Sequence, residues 1–510
     1  MAEHFFDSHL HATTKSFLSQ GALSPWEEYK SGLDFMVGNI IDSQSCLKQL
    51  VEANYKLVLL SIIPIEKGFA KSWLIRNVLP KIAPLNKDYL ELIVSEEDNY
   101  WQRFNAEFLH LKKYLKNRED VQIITSMNEY DDSKLNLVMS LEGGHSFFDR
   151  EGNVIQNLKS LKKSNNRFFY VTLTHLTDFG KEYLSNHSYG SKLINVEDFK
   201  PKKYAISDLG YEFIDECYSD KSGKPILIDV KHMSLLARKK FYNYRKSKFS
   251  NFPIIASHCG VTGISWNQFK SFILGNNVYI DNDIAGVRIK KPIGLHSGRL
   301  GYHTFFNPWT INLFDEEIVE IIGSGGLIGL SIDQRILGYT SRFIEFLTWP
   351  AKEYIQLEEF KENFGEDFNF IDGELDPDLS DDEEMEFLHQ KAVAKGNSFM
   401  KEKSTTMNYN KKLHTSYMVN NLLHIIKVGG EKAWDHICIG SDFDGMVNAI
   451  NSCSNVYDME NFEYELIEAI ERIIRKSNFK NSDFYITDLS LQIRKVMYLN
   501  GKLFMNKNFN

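Results

Sequence analysis

Cysteine is scarce in this chain of 510 residues: five thiols, at positions 46, 217, 259, 438 and 453, odd in number and without a Cys-x-x-Cys spacing. That excludes a disulfide framework and leads us to expect a reducing compartment. Long apolar runs are missing too. The longest, such as Leu57–Ile65, have the length of a strand, so no membrane span is expected. The opening stretch, MAEHFFDSHLHATTKSF, has no basic segment followed by an apolar one. It reads as no signal peptide, and the expected location is cytoplasmic. Positive charge is not in excess. Lys+Arg number 59 against 68 Asp+Glu, for a net charge of −9, which speaks against nucleic acid as a partner.

What is present describes a folded globular chain. With 43% apolar and 25% charged residues, wholesale disorder is excluded. The length suits one large α/β barrel with insertions, or two to three smaller domains. The pattern favours the barrel. Eight β-type runs (5–7, 56–63, 135–141, 168–174, 225–230, 253–257, 326–332 and 436–440) alternate with longer stretches of helical character. That rhythm predicts a (β/α)8 TIM-type barrel occupying residues 1–510 as a single domain. Asp315–Ile322 opens with acids and has helical spacing, and Asn461–Asn478 is amphipathic. Large insertions are expected after strands 6 and 7, at about 260–310 and 338–403. The second contains the acidic run GELDPDLSDDEEMEFLHQ, which reads as a solvated excursion.

The chemistry is written at strand ends, where a parallel barrel keeps its active site. The first run leads into Asp7-Ser8-His9-Leu10-His11, and residues two apart on an extended chain face the same way. The third run ends at Glu142-Gly143-Gly144-His145, the fifth at Asp229-Val230-Lys231-His232, the sixth at Ser257-His258 and the eighth at Ser441-Asp442-Phe443-Asp444-Gly445. A single histidine after an apolar run is usually a structural hydrogen bonder. Here His-x-His, Glu, His, His and Asp each close a separate run, and imidazoles with carboxylates are the donors that Zn²⁺ and similar ions take.

At these residues the sequence resembles the membrane (renal) dipeptidase family of zinc metallopeptidases, within the amidohydrolase superfamily. The stretches FFDSHLHA, SLEGGHSFF, FFYVTLTHLTDFG, ILIDVKHMS, PIIASH, GGLIGLSID and ICIGSDFDG stand in that family's order. The resemblance implies a metallo-dipeptidase with two bridged divalent ions, zinc by precedent, and a hydroxide between them that attacks the amide bond. It places His9 and His11 on the first ion, Glu142 on both, and His232 and His258 on the second. His175 would polarise the scissile carbonyl, Asp442 would handle protons, and Asp444 would support. The substrate would be a small dipeptide or related amide, with no membrane contact, and the family resemblance implies a homodimer.

Two departures stand out. The family has His-x-Asp on its first strand, whereas this chain has His9-x-His11. Neutral imidazole in place of a carboxylate leaves a more positive centre, so weaker or altered first-metal binding is expected. The family also carries an arginine for the dipeptide carboxylate shortly after its sixth strand. The stretch here is Thr310-Ile311-Asn312-Leu313-Phe314. Arg288 or Arg299 would substitute, or both are surface arginines. A non-peptide amide, lactone or N-acyl amino acid is the alternative substrate, and a non-catalytic metal-binding barrel is a third reading. Asp7 and Asp229 are candidates for orienting the ligand histidines. His145 reads as structural, Cys259 as a small buried apolar residue, and His187, His296 and His303, in irregular segments, as surface histidines or, alternatively, as lining of the substrate cleft.

Overall fold

In the computed structural model the described residues are all but 1–3, 32–37, 73, 96–98, 178–181, 191–196, 296–303, 340–350 and 376–402. Thirteen strands occur among them: β1 (Phe5–Leu10), β2 (Tyr55–Ile62), β3 (Val121–Ile123), β4 (Leu135–Leu141), β5 (Phe168–Thr172), β6 (Leu227–Asp229), β7 (Ile255–Cys259), β8 (Asn277–Asp281), β9 (Ile284–Ile289), β10 (Leu327–Leu330), β11 (Ala351–Gln356), β12 (Asn369–Asp372) and β13 (Ile437–Ile439). Eight of them pair in the parallel order β1-β2-β4-β5-β6-β7-β10-β13, and short β3 adds to β4. This is the expected (β/α)8 barrel. Its strands are near-continuous apolar runs because both faces are covered: every residue of β1 and of β4 is buried.

The seam between the last and first strands is closed by the residues that lead into the functional rim. Leu10 and Phe443 form a parallel bridge. His11 N–H donates to Phe443 O at 2.8 Å, and Asp442 N–H donates to His9 O at 2.9 Å. Closing the barrel therefore fixes the backbone of two ligand candidates against a third.

The amphipathic segments form helices Asp315–Gly323 and Met459–Ser477. The first has three acids in its opening turn, where they suit the helix dipole. The two insertions carry secondary structure of their own. They build one four-stranded sheet, β11-β9-β8-β12, with two strands from each insertion. The β8–β9 hairpin turns on Asn282 and Asp283, both left-handed, at φ 46° and 63°. That is the two-residue turn whose twist matches antiparallel strands. Val278, Ala285, Val287 and Ile289 of this sheet form a small core with Ile355 and Phe360. All five cysteines are buried and free. Among the described residues no helix is long and apolar enough to cross a membrane.

Candidate metal centre

At the C-terminal rim of the barrel the six acids and imidazoles converge. His9, His11, Glu142 and Asp442 form one potential ion site, and Glu142, His232 and His258 a second; within each group the donor atoms lie within 4.8 Å of one another. Glu142 divides its carboxylate between the two. Its Oε2 is 3.0 Å from His11 Nε2 and 3.5 Å from His9 Nε2. Its Oε1 is 2.9 Å from His232 Nε2 and 3.3 Å from His258 Nε2. Asp442 Oδ1 is 3.4 Å from His11 Nε2, and Oδ2 is 3.9 Å from His258 Nε2.

Hydrogen bonds on the far side of two rings fix which nitrogen faces inward. The Tyr170 hydroxyl donates to Ser8 O at 2.8 Å, so at 2.7 Å from His9 Nδ1 it accepts the ring proton. Ser257 Oγ donates to Asp229 Oδ2 at 2.6 Å and accepts from His258 Nδ1 at 2.8 Å. Both Nε2 lone pairs are thereby left for a cation, and donors of this kind fit one. Asp229, which also accepts from Thr172 Oγ1 and the backbone N–H groups of Ser257 and Lys231, orients His258 through that hydroxyl. Asp7 acts on backbone instead: its Oδ1 accepts from the N–H groups of His9 and Ser441, each at 3.0 Å.

Burial works against charge on His11, but the hydrogen-bonded Asp442 and Glu142 carboxylates outweigh it and push the ring up to about 10. Burial likewise opposes the Glu142 carboxylate, yet the charges of His175 and His9 and its imidazole hydrogen bonds hold it well below the usual range. His232 and His258 are driven well below ordinary histidine, chiefly by burial. Burial raises Asp442. Two residues here hold left-handed backbone, His232 at φ 67° and Asp442 at φ 59°, a cost that functional sites accept.

His175 stands beside the second site, with Nε2 3.7 Å from Glu142 Oε1 and Nδ1 2.7 Å from Glu66 Oε2. Glu66 is fully buried and was not singled out by sequence reasoning; the signal was an acid four positions beyond the end of β2, on the functional rim. Tyr170, an aromatic inside an apolar run, gave no signal.

The remaining sequence candidates sort cleanly. Asp444 is turned away from the cluster, accepting from Lys15 Nζ at 2.6 Å, Gln44 N–H at 3.0 Å and Ser45 N–H at 2.8 Å. His145 binds Pro64 O through Nε2 at 3.0 Å. Cys259 is buried in the barrel core. Arg288 lies on β9 in the second sheet, opposite Lys352 of β11, and is not brought into the ligand cluster. Arg299, His296 and His303 lie outside the described residues. His187 is corrected: it is buried rather than at the surface, because residues 184–188 pass beneath the loop after β6 and His187 bridges Met233.

The fold is a (β/α)8 barrel whose rim carries a candidate metal centre. Residues 304–482 match the family model described as membrane dipeptidase (peptidase family M19), which bears out the resemblance carried by the motifs and supports a metallo-dipeptidase. Among solved structures, the chain is similar to a metallopeptidase from Rhodobacter sphaeroides liganded with a phosphinate mimic of the dipeptide L-Ala-D-Ala (12% identity, 99% of each chain covered, TM-score 0.47). It is also similar to an amidohydrolase from Pseudomonas aeruginosa (12%, 99% of this chain and 96% of that one, 0.47) and to a probable dipeptidase from Pseudomonas aeruginosa (16%, 97% of each, 0.45). No curated protein matches.

Proposed function

We propose that the chain is a binuclear metal-dependent hydrolase that cleaves the amide bond of dipeptides. The observation that carries this reading is the division of Glu142 between two imidazole pairs, Oε2 toward His9 and His11 and Oε1 toward His232 and His258. The residues at the rim fit two divalent ions, zinc by the nature of the donors, with Asp442 closing the first group. When bound, such a pair supplies Lewis-acid polarisation and an ionised water at neutral pH.

The chain's own residues supply the rest. Asp442 is the more open carboxylate, its side chain 18% exposed against 4% for Glu142, so it is the one that meets substrate. It accepts the proton of the attacking water and passes it to the leaving amine, and the upward push of burial on its carboxyl suits that exchange. In this reading His175 acts as the imidazolium, with protons on both nitrogens. Glu66 accepts the Nδ1 proton, and the Nε2 proton is directed toward the oxygen that develops charge as the carbonyl is attacked. Burial opposes that protonated state, and the Glu66 and Glu142 charges sustain it.

The test is a panel of L-L and L-D dipeptides alongside N-acyl amino acids, assayed after chelation and after Zn²⁺ is restored, with metal content measured in parallel. Two ions per chain and Zn²⁺-dependent release of free amino acids from dipeptides are expected. Turnover confined to N-acyl substrates would move the assignment to another amide, a reading favoured by the stretch 310–314, which has no arginine. Bound ions without turnover on any of them would leave a metal-binding barrel.

A further inference from the structure

The second insertion reaches the loops around His232 through two buried carboxylates. Glu359, on helix Leu357–Phe364, is fully buried. Its Oε1 accepts three hydrogen bonds, from Asn186 Nδ2 at 2.9 Å, Ala205 N–H at 2.6 Å and Ser234 Oγ at 2.9 Å. Those donors come from two separate barrel loops, the one after β5 and the one after β6. Ser234 is two residues past His232 and caps helix Leu235–Lys248 by accepting from Ala237 N–H. Around it the same two loops are laced together. Ser188 N–H donates to His232 O at 2.7 Å, Ser188 Oγ to Met233 O at 2.9 Å, and Ser234 N–H to Asn186 O at 3.0 Å.

Glu353, on β11, repeats the device one layer away. Its Oε1 accepts from Thr310 N–H at 2.7 Å and Thr310 Oγ1 at 2.6 Å. Thr310 O accepts from Arg238 Nη2 at 2.8 Å, and Arg238 Nη1 donates to Met233 O at 2.6 Å. The residues on either side of this connection, Met233 and Thr310, are thus tied to an inserted strand. A histidine held at φ 67° does not keep that conformation by local preference; the surroundings must impose it.

Resting on the binuclear reading above, we propose that Glu359, seconded by Glu353, is a positioning residue for His232, so that the second insertion forms part of the scaffold of the second metal site. A hydrogen bond made straight to a ligand ring is worth about 10–100-fold in metal affinity; Glu359 acts one step further out, through Ser234 and the backbone beside His232, so about 10-fold or less is expected. The Oε1 atom does the accepting, and among the described residues Oε2 of each carboxylate has no hydrogen-bond partner. An amide that keeps the acceptor should therefore serve, whereas a methyl group should not.

The experiment compares the whole chain with Glu359→Ala and Glu359→Gln. Each is stripped with chelator, then titrated with Zn²⁺ while stoichiometry and dissociation constants are followed by calorimetry. Wild type is expected to take two ions. Glu359→Ala is expected to keep the first and to bind the second more weakly, by about 10-fold or less, with Glu359→Gln restored toward wild type. Should the alanine variant not fold, Glu359→Asp, which draws the carboxylate back by one methylene, is expected to weaken the same ion. Unchanged affinity for the second ion in the variant that folds, or equal weakening of both ions, overturns the proposal and leaves Glu359 a plain structural residue. Fewer than two ions on the wild type is a different failure, that of the binuclear reading itself.

Discussion

Glu66 Oε2 and His175 Nδ1 stand 2.7 Å apart with both side chains buried, a carboxylate–imidazole pair aimed at the cluster from outside it. Because Glu66 takes the Nδ1 proton, the inward Nε2 donates only while the ring is protonated. His175 is raised above ordinary histidine against burial by Glu66 and Glu142. Its loss of a proton as pH rises should therefore set the alkaline limit of activity. Glu66→Gln removes the charge and lowers that limit, so the alkaline limb of the kcat profile should move to lower pH. At neutral pH kcat should fall by about 10–100-fold, with ion stoichiometry unchanged. An alkaline limb that stays in place would falsify the role given to the pair.

The first site carries a proton of its own. His11, pushed up to about 10 by its two carboxylate neighbours, is charged at neutral pH without a cation. A divalent ion must displace that proton, so binding at this site should release about one proton per chain between pH 7 and 9 and weaken as pH falls. Calorimetry in two buffers of different ionisation enthalpy measures the release directly. His11→Asp replaces the protonated ring with an anion. Its proton release should shrink and its first-site affinity at pH 6 should rise. In the metal-free wild type the same shift carries a stability term. Stabilisation from charged His11 is fully present below about pH 6.5 and is lost as pH climbs toward about 10, a loss that urea titration of chelated protein should record.

Most of this centre is legible in the chain because chemistry-bearing residues terminate apolar runs. His9 and His258 lie near the ends of β1 and β7, and His11, Glu142, His232 and Asp442 follow β1, β4, β6 and β13, strands that continuous burial makes visible. What does not show is of another kind. Tyr170 sits in the middle of FFYVT, where an aromatic reads as core, and only the closed barrel turns its hydroxyl toward His9. Glu359 belongs to LEEFKENF, where an acid on an amphipathic helix reads as solvated; its burial is decided by barrel loops more than a hundred residues away in sequence. The second sheet carries a signal that composition conceals, since VYIDNDIAGVRI is two β-type runs around a two-residue turn inside a stretch rich in glycine and asparagine.

Glu353 predicts an unusual pH response. Burial raises its carboxyl to about 8, with Thr310 pulling the other way. The unfolded chain gives up this proton near pH 4.5 while the folded protein keeps it, so this group lowers stability progressively as pH rises from about 4.5 to about 8. Glu353→Gln keeps an oxygen for Thr310 and has no proton to lose. Its Tm should match the wild type near pH 5 and exceed it by several degrees at pH 8. A Tm difference that is the same at both values removes Glu353 as the source.

Gly445 tests how closely the rim is packed around Asp442, the proposed proton carrier. A Cβ at this position would lie 2.3 Å from Asp442 Oδ1 and 2.9 Å from His11 Cδ2, distances that real atoms do not keep. The Gly445 N–H donates to Asp442 O at 3.0 Å, so the glycine cannot back away without loosening the turn that holds the carboxylate. Gly445→Ala should therefore push the Asp442 side chain off its position rather than unfold the barrel, whose seam is closed by His9, His11 and Phe443. A displacement near 1 Å at a reacting group costs on the order of 100-fold in rate. We expect kcat to fall by about that factor, first-site affinity to fall with it because Asp442 belongs to that group, and His232 and His258 to retain their ion. Equal loss at both sites, or a collapse in Tm, would mean that the methyl group disturbs the barrel and not the carboxylate.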